Sequence, residues 1–395
     1  MSSKMLNNNV LRELALLGLK LGATAFGGPA AHISMLHHEV VGRRQWLTDQ
    51  EFLDLLGATN LIPGPNSTEM VLHVGHKRGG WRGLLVAGGC FIAPAFGIVL
   101  ILAWLYVQYG TTPSMEGLLW GIKPVVYAII LQAVWKLGKK AISAWILALV
   151  GMLVLVGFAL GFNEIFLLIG AGLFVALWKR GFSKRDVKKA FLIVPLALKP
   201  SLSWNGFIWV PLASAPVSFL GLFLVFLKVG AVLYGSGYVL IAFLQADLVE
   251  GLRWISQQQL LDAVAVGQVT PGPLFTTATF IGYVIAGIPG AILATVGIFM
   301  PAFVFVAISG PLIPKIRKSV WAGNMLDGVN AASVGLMLAV LWPLGSAVWI
   351  DIPSILLLSL TLILLWRTRI PSVWLIGGSA LFGLFSAHSS FLGWY

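Results

Sequence analysis

Two short segments of this chain join a helix break to a run of hydrogen-bond donors, which is the chemistry of anion capture. Pro63-Gly64-Pro65 precedes Asn66-Ser67-Thr68-Glu69, and Pro271-Gly272-Pro273 precedes Leu274-Phe275-Thr276-Thr277. Proline has no backbone N–H and clashes with the preceding turn, so two prolines around a glycine end one helix and let another start. The first N–H groups of the new helix lack intrahelical partners and, with the helix dipole, form an anion site. One terminus supplies about 0.3–2 kcal/mol, too little to dehydrate a dianion. A sufficient site needs both termini, nearby hydroxyl and amide donors, and a cation. The alternative reading is that each Pro-Gly-Pro is a packing kink.

The candidate binding set follows. The first copy offers Gly64, Pro65, Asn66, Ser67 and Thr68, and the second Gly272, Pro273, Thr276 and Thr277. Upstream breaks add Gly27, Gly28 and Pro29 in the first copy, and Gly235 and Ser236 in the second. Lys20 and Lys228 stand at matched positions inside apolar runs. Either they snorkel from a helix end, or they face a cavity as functional cations, since charge within a membrane is costly. Asp54 and Asp262 are also matched; they pair with those lysines or stabilise the starts of their own helices. Glu69 has Thr277 as its counterpart. It closes a capping interaction with Asn66 or titrates in a proton-coupled cycle. Lys123, matched by Asn330, is a weaker candidate.

These residues sit in a duplicated chain. Pro63-Gly64-Pro65 recurs 208 positions later, and the same offset relates Lys20 to Lys228, Trp46 to Trp254 and Thr68 to Thr276. One residue then drops out, and offset 207 relates Gly83 to Gly290, Pro94-Ala95-Phe96 to Pro301-Ala302-Phe303, and Gly121 to Gly328. A duplication whose apolar segments are broken at corresponding places points to a secondary transporter and to its binding site. The expected units are residues 10–180, a linker at 181–216 with an extra crossing, and 217–388.

The 395 residues are 58% hydrophobic and 10% charged, against about 25% charged in soluble domains. The expected fold class is therefore an all-α polytopic membrane protein embedded in the lipid bilayer. Apolar runs of spanning length occur at 83–108, 117–135, 141–160 and 163–178, and again near 290–313, 324–345, 351–366 and 371–387. Two broken segments precede each set, at 11–40 and 51–76, then at 217–248 and 257–286. Capping-box signatures open matched helices at Thr48-x-x-Glu51 and Ser256-x-x-Gln259. No signal-peptide pattern is visible at the start.

Loop charges orient the repeats. Basic clusters lie at Lys77, Arg78 and Arg82, at Lys136, Lys139 and Lys140, and from Lys179 to Lys189. In the second half they shift by one span, to Lys315, Arg317 and Lys318 and to Arg367 and Arg369. Positive charge prefers the cytoplasm, so the repeats are expected to be inverted, with the N-terminus inside, the C-terminus outside and an additional crossing within 190–216. The net charge of +12 follows mainly from that rule and secondarily from an anionic cargo. The six histidines, including His32 and His73, show no metal-ligand spacing, and the single Cys90 leaves no internal disulfide. No Walker-type phosphate loop appears, and no nucleophile set suggests an enzyme. No cofactor, metal or nucleic-acid partner is expected; a second copy of the chain is a candidate partner.

The stretches Ala25-Phe26-Gly27-Gly28-Pro29-Ala30, Pro63-Gly64-Pro65-Asn66-Ser67-Thr68-Glu69 and Thr270-Pro271-Gly272-Pro273 closely resemble the chromate ion transporter family. The resemblance covers both halves. It implies a bacterial inner-membrane carrier that exports chromate and confers chromate resistance, with sulfate as a mimic and competitor. It also implies that Gly27, Gly28, Pro29, Pro63, Gly64 and Pro65 carry the family's Gly-Gly-Pro and Pro-Gly-Pro roles. The second copy departs from this pattern at Ser236-Gly237, so unequal contributions from the halves are expected. From the residues alone an anion carrier follows, without the identity of the anion; sulfate or another oxyanion, with or without proton coupling, is the alternative cargo.

Overall fold

The computed structural model describes residues 3–26, 28–179, 217–234, 237–309, 319–349, 351–368 and 370–388. The described residues form helices without strands. The first repeat comprises α1 (Ser3–Thr24), α2 (Pro29–His37), α3 (Asp49–Thr59), α4 (Asn66–Tyr109), α5 (Pro113–Ala141), α6 (Trp145–Ala159) and α7 (Glu164–Lys179). The second comprises α8 (Phe219–Val232), α9 (Leu240–Leu244), α10 (Gln257–Val269), α11 (Thr277–Ser309), α12 (Val320–Ser346), α13 (Ile352–Arg367) and α14 (Ser372–His388). Short 3₁₀ turns, Gly237–Val239 and Leu274–Thr276, lead into α9 and α11.

The duplication extends to backbone detail. Both capping boxes form, with Thr48 accepting from the Glu51 N–H and Ser256 from the Gln259 N–H. Thr112 and Ser319 cap α5 and α12 in the same way. A π-helical segment precedes each box, at His38–Arg43 and Gln245–Gly251. Each is followed by a matched left-handed residue, Gln45 and Arg253.

The broken segments are helical hairpins. Glu51 opens α3 and meets Lys77, far along the following helix, at 2.6 Å. Pro63-Gly64-Pro65 is therefore the tip of two antiparallel arms, not a bend in one continuous path. The outgoing arm of α4 reverses at Gly80, with φ 58° and ψ −147°. α11 does the same at Gly287, with φ 63° and ψ −153°. These backbone conformations suit glycine. Small residues let the arms touch: Gly75 lies against Gly83, and Gly282 against Gly290. α3 has 11 residues and is about 16 Å long, half the hydrocarbon thickness. An arm of that length can reach about half-way through a bilayer before it returns.

By length and apolar composition alone, Asn66–Tyr109, Pro113–Ala141, Leu274–Ser309 and Val320–Ser346 can cross a membrane; Trp145–Ala159, Phe219–Val232, Ile352–Arg367 and Ser372–Ser386 are shorter apolar helices.

The repeats are inverted. Tyr127 donates to the Leu341 carbonyl at 2.9 Å, while Gly138 lies beside Val334. The equivalent helices α5 and α12 therefore run antiparallel. Small-residue seams join them to the opposite repeat: Gly121 packs on Ser379 and Gly383 of α14, and its counterpart Gly328 packs on Ala171 and Gly172 of α7. The ends that carry basic residues meet on one face. Lys179 closing α7 pairs with Asp327 near the start of α12 at 2.6 Å, and Gln132 near the end of α5 donates to Leu365 near the end of α13. The stretch 190–216, Gly27, Gly235, Ser236, the basic residues from Arg180 to Lys189, those at 315–318, and Arg369 lie outside the described residues.

Candidate substrate-binding cavity

Each Pro-Gly-Pro tip is stitched to the first break of the opposite repeat. The Gly64 N–H donates to the Leu233 carbonyl at 2.8 Å, and the Gly272 N–H donates to the Ala25 carbonyl at 3.0 Å. Leu233 and Ala25 are themselves equivalent positions, so the two bonds obey the same pseudo-two-fold. Gly64 and Gly272 have φ of 138° and 97°, which favours glycine on backbone grounds. A Cβ would also have no room: at Gly64 it would strike the Glu69 carboxyl, and at Gly272 it would press on Ala95 and the Gly22 carbonyl.

Four helix starts then surround one cavity of about 750 Å³. Pro29 and Ala30 open α2, and Pro65, Asn66 and Ser67 open α4. Gly237 and Tyr238, with Leu274 and Phe275, open the matching turns of the second repeat. Across from them α5 supplies Gln132, Lys136 and Lys140, spaced four apart and hence on one face. The cavity extends from the tips to Thr368, Ile370, Pro371 and Ser372, between α13 and α14. A smaller cavity of about 300 Å³ shares Asn60, Asn66, Leu137 and Lys140 with it and adds Asp327, Asn330 and Ser333 of α12. Fixed bonds hold the wall: Asn66 donates to the Asn60 side-chain oxygen at 2.8 Å, and His32 bridges Ser67 and the Ala25 carbonyl at 3.3 and 3.0 Å. Lys136 bonds Gln132 at 3.0 Å.

Of the residues expected from the sequence, Pro29, Pro65, Asn66 and Ser67 line this cavity. Gly64 and Gly272 shape the tips, while Gly28 provides the left-handed turn before α2 with φ 80°. Pro273 caps the turn ahead of Leu274. Thr276 and Thr277 bond the carbonyls of Pro273 and Leu274, both at 2.8 Å. Thr68 is buried, and its hydroxyl has no partner among the described residues.

Two side-chain pairings differ from the sequence reading. Lys20 and Lys228 are not paired with Asp54 and Asp262. Lys20 meets Glu39 at 2.7 Å, and Lys228 meets Asp247 at 2.5 Å. These acids are themselves matched across the repeats and stand 19 positions after their lysines. The reason is the hairpin: the chain reverses after α1 and again after α8, which lays the second arm against the first. Glu39 also receives Arg43 and Arg44, and Lys228 also reaches Glu164 of the first repeat at 3.2 Å. Both lysines thus clamp hairpins, and the cations on the cavity wall are Lys136 and Lys140. Sequence reasoning took those two as loop charges, although their spacing with Gln132 carried a helical signal. Asp54 accepts a hydrogen bond from Gln50. Glu69 does not cap Asn66; both of its carboxyl oxygens are buried without a partner among the described residues.

Asp262 instead meets Lys123 at 3.4 Å and accepts from Tyr106 at 3.0 Å. This trio lines a separate cavity of about 330 Å³ with Glu116, Trp120 and Ser354. That cavity is the symmetry mate of the small one beside Asn330, since Lys123 and Ala347 replace Asn330 and Lys140. A buried ion pair thus stands on one side of the tips, and an open, lysine-lined cavity on the other. Among the described residues no group of His, Cys, Asp or Glu has metal-binding geometry.

Inverted repeats, paired half-membrane hairpins and helix starts around a mid-chain cavity define a multi-pass membrane transporter of the broken-helix class. The family model described as "Chromate transporter" matches residues 12–176 and again 220–384. The chain belongs to the chromate transporter family. It is 32% identical over 385 residues to the "Chromate transport protein" of Cupriavidus metallidurans, covering 95% of this chain and 92% of that one. It is 30% identical over 382 residues to the "Probable chromate transport protein" of Synechococcus elongatus, covering 95% of each. With the "Chromate transport protein" of Pseudomonas aeruginosa it shares 31% over 379 residues, covering 92% and 90%. No solved structure matches the chain.

Proposed function

We propose that this protein exports chromate across the bacterial inner membrane and so confers chromate resistance. The observation that carries the reading is the convergence of four helix starts, with Lys136 and Lys140, on one cavity. Chromate and sulfate are both tetrahedral dianions, and sulfate is the natural competitor. The termini contribute about 0.3–2 kcal/mol each, and the two lysines supply the charge that the termini lack. By the positive-inside rule the face bearing Lys136, Lys140 and Lys179 is cytoplasmic. The cavity then opens inward, and the pair of Lys123 with Asp262 seals the outer side. With the interior negative, expelling a dianion is favoured by about 4.6 kcal/mol per 100 mV, twice the single-charge value. Alternating access exchanges the roles of the two repeats around the fixed tips.

The test is radiolabelled chromate flux in proteoliposomes under an imposed potential, with sulfate as competitor. Potential-dependent chromate movement, slowed by sulfate, is the expected result. Flux of sulfate that chromate fails to inhibit would reassign the cargo.

A further inference from the structure

Glu69 lies on α4 one turn beyond the start that faces the cavity. It is fully buried, and neither carboxyl oxygen has a partner among the described residues. Two more buried polar atoms beside it share that condition, the Thr68 hydroxyl and His73 Nε2, one turn further on. An ionised carboxylate left unpaired there would cost several kcal/mol in desolvation. No other buried carboxylate among the described residues lacks a partner at both oxygens. Glu39, Asp247 and Asp262 all have cations, and Glu164 has Lys228.

Its position makes it sensitive to the tip. The carboxyl rests against Gly64, whose N–H binds Leu233 of the opposite repeat. The other ionisable groups around it are His73 on the same helix and His32 on α2, which is bonded to Ser67; Lys136 and Lys140 stand across the cavity. From α11 it is faced by apolar groups around Ala302. A dianion held by the N–H groups of Asn66 and Ser67 would repel an ionised Glu69 and compete with it for the same dipole. The second repeat has Thr277 and Ile281 at the equivalent positions, so only one tip carries this device.

We propose that the Glu69 carboxyl is a proton-binding site of the transport cycle, filled when the cavity holds the oxyanion, so that each dianion crosses with one proton. The step is protonation of a carboxylate to a carboxylic acid and its reversal on the other side. It rests on the oxyanion-carrier reading above. Linkage is reciprocal: oxyanion binding favours proton binding by the same factor that the proton favours the oxyanion. The carrier then moves one net charge per oxyanion instead of two.

The experiment clamps the potential to zero in proteoliposomes and imposes a pH gradient. Wild-type protein should shift the equilibrium chromate distribution by about tenfold per pH unit, toward the alkaline side, the sign for one co-transported proton. Glu69→Gln should transport chromate with no such shift, and Glu69→Asp should restore it. Comparing wild type and variants under the same pH gradient cancels the protonation of chromate itself. A Glu69→Gln variant that keeps the wild-type response to the pH gradient overturns the proposal. Should Glu69→Gln prove inactive, solubilised wild type in alkaline, weakly buffered solution should take up one proton per chromate bound; no uptake overturns it equally. A wild type that moves no chromate under any gradient contradicts the carrier reading itself.

Discussion

At the tip of the first repeat, Thr68 and Glu69 are buried with oxygens that have no partner among the described residues, and Asn66 and Ser67 face the cavity. At the tip of the second, Thr276 and Thr277 bond the carbonyls of their own turn, and Leu274 and Phe275 face the cavity. The backbones are alike, down to the positive φ of Gly64 and Gly272 and the two cross-repeat N–H bonds. Duplication has kept the architecture of the half-membrane helix start, which inverted symmetry needs twice. Side-chain chemistry, which a single cargo needs once, has drifted into one copy. The same division appears on α5 and α12: Gln132, Lys136 and Lys140 are replaced at the matched positions by Ala339, Pro343 and Ala347.

The shared backbone gives the largest expected effect. Gly64→Ala and Gly272→Ala both force a side chain into a strained region, at about 1–3 kcal/mol, and both crowd the tip. Gly272→Ala should cut chromate flux by about five- to a hundredfold, the equivalent of strain of that size at the tip. Gly64→Ala, whose new Cβ would also strike the Glu69 carboxyl, should cut it further. Normal flux in either variant would detach the tips from transport.

Next come the chemistries that differ between the repeats. Lys136→Met with Lys140→Met should raise the apparent KM for chromate by about ten- to a hundredfold, the value of charge-assisted hydrogen bonds, measured as flux against concentration. The clamps should act on stability instead. Lys228→Met leaves Asp247 and Glu164 buried without their cation, a loss of about 3–5 kcal/mol. In Lys20→Met, Glu39 keeps Arg43 and Arg44, so the fall in thermal-unfolding midpoint should be smaller. The smallest effect belongs to Thr276→Val and Thr68→Val. Neither hydroxyl reaches the cavity, so chromate affinity should stay within about twofold of wild type, less than one ordinary hydrogen bond is worth. A tenfold loss in Thr276→Val would put that hydroxyl on the anion.

Much of the fold was readable because it depends on local rules. Matched capping boxes, Pro-Gly-Pro breaks and the shifted Lys/Arg clusters each state a helix start, a stop or a side of the membrane, and together they implied inverted repeats. The tip residues Pro65, Asn66 and Ser67 were readable for the same reason. What was hidden depends on chain reversal. The partners of Lys20 and Lys228 stand a hairpin away, and matched acids of different type, Glu39 and Asp247, conceal their equivalence. The cavity lysines were hidden because a basic helix end has an ordinary explanation in the positive-inside rule. No local signal showed that the first tip meets the second repeat through Leu233; that contact follows only from the assembled pseudo-symmetry.

The central claim is that the oxyanion binds at the helix start of the first tip, inside the lysine-lined cavity. It is tested most directly by substrate protection of a single cysteine. In a Cys90→Ala background, Asn66→Cys places the only thiol at that start. With transport still measurable, an impermeant anionic thiol reagent applied from the Lys140 face should label it, and chromate should slow the labelling over the concentration range that saturates flux. Labelling at an unchanged rate under saturating chromate would place the binding site elsewhere and contradict the account.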